Sequence, residues 1–179
     1  MRQKRVRLAA AVAVVAIASV VATTAFAGGG REVRDELSGD QEVPVVLTDA
    51  EGKFKAKLFS DRIEYTLRYE DFEGDVTQAH IHIGQRLANG NIAAFLCSNL
   101  GNGPPGTPPC PPDPGTVSGT ITAAQVVNTA AQQGIAAGEL DELIDAIRDG
   151  WTYANVHSTL APSGEARGQL NDDGGDDDD

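Results

Sequence analysis

The chain contains three histidines, and two of them stand two residues apart in Ala79-His80-Ile81-His82-Ile83-Gly84. Side chains alternate between faces along a β-strand, so this spacing predicts both imidazoles on one side. Ala79, Ile81 and Ile83 then line the other side, against a core. His157 ends a second strand-like run that starts at Trp151. If the fold lays that strand beside the first, three imidazoles converge. Three neutral imidazoles suit one divalent copper or zinc ion, and copper binds the tighter of the two under the first-row order. Ligating rings must be neutral, so binding is expected to weaken as pH falls through the histidine range near 6.5. Each ring also needs an acceptor on its second nitrogen, for which Glu165 and Asn155 are the candidates. Arg167 is expected close by but not on the metal, because a guanidinium has no lone pair to give. A second reading keeps the same residues as a satisfied hydrogen-bonded cluster that ties two strands together. Tyr153 and Trp151, on the predicted face of His157, read as packing.

The elements that must position these residues alternate with period two. Residues 53–59 place three lysines opposite Phe54, Ala56 and Leu58, and residues 62–69 turn Ile63, Tyr65, Leu67 and Tyr69 inward. Residues 76–83, 92–97, 115–121, 151–158 and 165–170 read as further strands, and 36–46 as a first strand ended near Pro44. About eight short antiparallel strands predict an all-β, Greek-key-like sandwich. One insertion reads as helical. Thr122 and Gln125 form a capping box for a helix to about Gln133, and a second helix over 139–148 carries Leu140, Leu143, Ile144 and Ile147 on one stripe. This pair is expected to be a packed crossover.

The ends and the cysteines bear on compartment. Arg2, Lys4, Arg5 and Arg7, an apolar run over 8–21 and Ala25-Phe26-Ala27 make residues 1–27 a cleavable secretory signal peptide. The apolar run falls short of the roughly 20 residues that a membrane span needs. Residues 28–35 read as a linker, 36–170 as one domain, and 171–179, with its aspartates, as a disordered acidic tail. Cys97 and Cys110 are the only cysteines and enclose a loop rich in proline and glycine. In an oxidising compartment a disulfide closing that loop is the expected state.

Composition excludes some functions. Removing the leader takes away four of the 14 basic residues and none of the 26 acidic ones. So acidic a chain is a poor partner for nucleic acid or an anionic membrane. It carries no Ser-His-Asp spacing and no glycine-rich phosphate loop. These absences favour a binding or structural module over an enzyme, with an extracellular protein or surface ligand as partner.

Several motifs occur in a recognisable order: 37–44 (Leu-Ser-Gly-Asp-Gln-Glu-Val-Pro), 79–84, Asn89-Gly90, 119–122, 150–157 and 164–170. Together they resemble CHRD domains, the repeat named after chordin and also found singly in secreted bacterial proteins. The resemblance spans about residues 36–170 and implies a secreted all-β domain. In chordin such repeats belong to an extracellular growth-factor antagonist. A weaker resemblance concerns chemistry. His-x-His, a distant histidine and Gly164-Glu-Ala-Arg-Gly168 are similar to the copper side of copper/zinc superoxide dismutases. That likeness implies His80, His82 and His157 as ligands and Arg167 as an attractor of anions, in a mononuclear redox site. No histidines are left for the bridge and the zinc set of those enzymes, so a two-metal dismutase is excluded.

Overall fold

The computed structural model describes residues 30–171. The expected signal peptide and the tail beyond Asn171 lie outside the described residues. Among the described residues no helix is long and apolar enough to cross a membrane.

Eight strands form one antiparallel sheet: β1 (Arg31–Ser38), β2 (Glu51–Leu58), β3 (Ile63–Glu70), β4 (Val76–Ile83), β5 (Ile92–Ser98), β6 (Gly115–Ile121), β7 (Thr152–Ser158) and β8 (Ala166–Leu170). Their spatial order is β5-β4-β7-β8-β1-β2-β3-β6. The all-β class is as the alternation predicts, but the sandwich gives way to a single, nearly closed, barrel-like sheet. The chain lays down β1–β2–β3 as a meander and crosses to the far end for the β4–β5 hairpin. It then returns to place β6 beside β3, and fills the gap between β4 and β1 with the β7–β8 hairpin.

Closure happens where β5 faces the β6 end. Tyr65 on β3 donates its hydroxyl to Leu96 O of β5 at 2.5 Å. Just after β6, Val126 bridges to Ala94, and Val127 N–H donates to Ala93 O at 2.9 Å. These contacts cover the open edge of β5, an edge that would otherwise template association. The Cys97–Cys110 disulfide fastens the loop between β5 and β6 to the same edge, with Cα atoms 5.0 Å apart.

The inner face is the core. β2 and β3 alternate strictly, burying Phe54, Ala56 and Leu58 and then Ile63, Tyr65, Leu67 and Tyr69. Ala79, Ile81, Ala154, Val156 and Ala166 continue the core on β4, β7 and β8. β1 starts at Arg31, inside the stretch read as a linker, because Val33 and Leu37 supply inward anchors and all eight of its residues pair with β2. It also ends earlier than expected, at Ser38, where a 3-10 turn over Gly39–Gln41 takes over.

The first predicted helix is two 3-10 turns, Ala123–Gln125 and Asn128–Gln133. Gln125 Oε1 does accept from Thr122 N–H at 3.0 Å, as a capping box requires. The β-branched Val126 and Val127 are instead drawn into pairing with β5, which interrupts the helix. The second helix, α1 (Leu140–Arg148), buries Leu140, Leu143, Ile144 and Ile147. Gly150, at φ +73°, ends the turn that follows it.

Because Tyr65 spans the seam, Tyr65→Phe should leave Leu96 O without its donor. A loss of about 1–3 kcal/mol in unfolding free energy is expected by urea denaturation, with the far-UV spectrum unchanged. No loss would show that the seam closes without this bond.

Candidate metal centre

β4 and β7 are adjacent and antiparallel, so the two histidine strands do lie side by side. His80 pairs with Asn155, His82 with Tyr153 and Gln78 with His157. His157 is therefore the diagonal neighbour of His80, within reach of an aromatic ring on the same face. On the other flank β5 is irregular. It skips Leu96 and Ala93 in its pairing with β4, so that Phe95 stands opposite His80. Such bulges sharpen local curvature.

All three imidazoles sit on the outer face of the sheet yet are buried: His80 is 0%, His82 8% and His157 6% exposed. One nitrogen from each ring lies within 4.8 Å of the others. Rings pack around them. His80 meets Phe95 edge-on at 4.5 Å between centroids, and His82 stacks on Tyr153 at 4.8 Å. Tyr153 is packing, as expected. Trp151 is not, being 54% exposed just before β7.

Hydrogen bonds fix the tautomers. A carbonyl oxygen can only accept, so the ring nitrogen facing it carries the proton. His82 Nδ1–H donates to Gly90 O, and His157 Nδ1–H donates to Pro162 O, each at 3.0 Å. His157 Nε2 is then a bare lone pair, and His80 Nδ1–H donates to it at 3.0 Å. His80 Nε2 and His82 Nε2 are left bare, buried and without a partner. Buried polar atoms are rarely left unpaired, so two in one cluster ask for an explanation.

The orienting acceptors are thus two backbone carbonyls, and neither Glu165 nor Asn155 fills that role. Glu165 precedes β8. Its carboxylate accepts from Glu73 N–H at 2.9 Å and from the Ser158 hydroxyl, which keeps it at the end of the sheet. Asn155 does lie opposite His80, but its amide donates to Glu42. Arg167 shares the face, with Cζ 3.5 Å from the Tyr153 centroid. Its guanidinium donates to Ala88 O and Gln85 O, each at 3.0 Å, and to Gln169 Oε1 at 3.3 Å. So engaged, it clamps the 84–91 loop.

The residue that sequence reasoning missed is Glu42, buried at 6% exposure beneath the turn after β1. It lies within the 37–44 motif, but no periodicity marks it as inward. Gly164, at φ +130°, gives Glu42 and Asn155 their room: a methyl there would overlap the carboxylate and the amide. Gly164→Ala should therefore cost about 2 kcal/mol or more of stability, read as a lower urea midpoint. An unchanged midpoint would mean that the Glu42–Asn155 contact is dispensable.

Burial holds the histidines neutral. It pushes His80 down to about 2, with His157 and His82 adding to the effect. It pushes His82 down to about 4, against the pull of the Gly90 carbonyl. His157 is lowered by burial too, with Pro162 opposing. Glu42 is raised by burial to about 7, against the pull of Arg167, the Val43 N–H and Asn155. These shifts act in opposite directions on stability. Unfolded histidines take protons as pH falls through 6.5 while the folded ones stay neutral, so stability drops as pH falls below that value. Glu42 is protonated in the fold and ionised in the unfolded chain between 4.5 and about 7, so its contribution is lost as pH rises through that window. Three histidines outweigh one carboxyl. The metal-free protein should lose about 2–4 kcal/mol between pH 6 and 4.5, measured by urea unfolding across that range. A flat or rising profile would contradict neutral, buried rings.

A family model described as CHRD domain matches residues 33–170. No curated protein and no solved structure matches the chain. The match runs from within β1 to the last residue of β8 and takes in all three histidines, Glu42, Gly164 and Arg167. It covers well over half of the sequence, and on that extent the chain belongs to the CHRD domain family.

Proposed function

We propose that this CHRD domain is a secreted extracellular binding or structural module that holds one copper or zinc ion on His80, His82 and His157. The observation that carries the metal reading is the pair of bare, buried Nε2 atoms beside a third imidazole lone pair. A hydrogen-bonded cluster kept for stability alone would satisfy these atoms, and this one does not. The ion would take one lone pair from each ring, once the His80–His157 hydrogen bond is exchanged for coordination. The Gly90 and Pro162 carbonyls would hold the His82 and His157 rings in place, as outer acceptors do at histidine metal sites. Bound metal would supply a fixed cross-link between β4 and β7.

Export is supported by the leader-like residues 1–27 and by the disulfide. A non-enzymatic role is supported by the burial of the rings and by the engagement of Arg167 with loop carbonyls. The mononuclear redox reading asks in addition for a cation that can guide an anion to the metal, whereas Arg167 is bonded to loop carbonyls. The partner is an extracellular protein or surface ligand.

Titration of the metal-free exported protein with copper and zinc ions tests the proposal. One equivalent should bind and raise the thermal midpoint, with about 4 kcal/mol of added stability when free metal reaches a thousand times the dissociation constant. Each of His80→Ala, His82→Ala and His157→Ala should abolish that rise. Stoichiometric binding that survives all three changes would place the metal elsewhere and sink the proposal.

A further inference from the structure

The ligand set leaves open which ion it is built for, and the structure constrains that choice. Within the described residues, no cysteine, carboxylate or fourth histidine joins the three imidazoles. The two buried carboxylates nearby are committed elsewhere, Glu42 to Asn155 and Glu165 to Ser158 and the Glu73 N–H. His82 and His157 each spend their ring N–H on a carbonyl and so remain neutral donors. The site can therefore offer three uncharged nitrogens and no charged ligand.

The surroundings sharpen this. A fixed cation shares the face: Arg167, set over the Tyr153 ring on which His82 stacks. The cost of burying an ion rises with the square of its charge, so a dication is penalised about four times as heavily as a monocation. Solvent offers little relief, because the bare nitrogens lie beneath the surface and no ring exceeds 8% exposure. Zinc at a three-ligand site ordinarily completes its shell with water, and Cu(II) seeks a tetragonal set. Neither completion is provided here.

We propose that the site is selective for monovalent copper, a three-coordinate Cu(I) ion held by His80, His82 and His157. The proposal rests on the three-histidine reading above and names the ion it favours. The ion is taken up as Cu(I), so no change of oxidation state is required. Charge and coordination number point the same way. Cu(I) brings one unit of charge into an uncharged pocket and is satisfied by three nitrogens.

The experiment uses the metal-free exported chain under anaerobic conditions. Cu(I) is delivered in competition with a chromophoric Cu(I) chelator, and zinc(II) and Cu(II) are titrated in parallel against their own competitors. Cu(I) should bind at one equivalent and tighter than zinc(II) by about two orders of magnitude or more. The X-ray absorption spectrum should show three nitrogen neighbours. That spectrum is read on the unaltered protein, so the test stands even if a histidine variant fails to fold. Zinc(II) or Cu(II) bound by the same rings as tightly as Cu(I), or a fourth donor in the Cu(I) spectrum, would overturn the selectivity and leave the three-histidine reading intact. No metal of any kind at these rings would remove both.

Discussion

Two backbone carbonyls, Gly90 O and Pro162 O, set the chemistry of this domain. By accepting from Nδ1 of His82 and His157 they decide where the ring protons sit, and the decision passes through His157 Nε2 to His80. Every outward lone pair in the cluster follows from these two contacts. The carbonyls belong to loops, so the rest of the outer layer serves to hold the loops still. Arg167 reaches from β8 to Gln85 O and Ala88 O, and the Gly90 N–H donates to the Tyr153 hydroxyl at 3.1 Å. On the other side, the turn that presents Pro162 closes with Gly164 N–H on Ala161 O at 3.0 Å, and Gly164 in turn leaves space for Glu42 against Asn155.

The arrangement makes the domain two-layered. Inside the nearly closed sheet lies an ordinary aliphatic and aromatic core. Outside it, along β4, β7 and β8, lies a second buried layer made of three imidazoles, the amides of Asn155 and Gln169 and the Arg167 guanidinium, with the Glu42 carboxyl reaching Asn155 from the turn after β1. A layer of that composition is costly to bury, and a chain selected for stability alone would fill it with apolar side chains. The opposite flank of the same sheet keeps the cheaper pattern, with lysines of β2 in water and apolar residues inside. That contrast within one sheet singles out the β4–β7 face as the candidate site.

The sequence made the inner layer easy to read and the outer layer hard. Strict alternation in β2 and β3, and the even placement of His80 and His82, are local signals, and the strands follow them. Closure of the sheet depends on Tyr65, Leu96 and Val126, which are far apart in the chain and carry no shared pattern. The same Val126 pairing turned an expected helix into 3-10 turns. Glu165, expected as a histidine acceptor, is instead held at the end of the strand by the Glu73 N–H and the Ser158 hydroxyl. The histidine acceptors were illegible in principle, since a backbone carbonyl leaves no trace in side-chain identity. Glu42 had a trace, its place in the 37–44 motif, but a turn gives no period from which to infer burial.

The tautomeric state of the three rings is read directly by imidazole nitrogen NMR of the metal-free protein at neutral pH. Two-bond proton–nitrogen correlations should show His82 and His157 protonated on Nδ1 and bare on Nε2, with no ring carrying both protons. Nε2-protonated tautomers at those two residues, or an imidazolium signal from any of the three, would contradict the account.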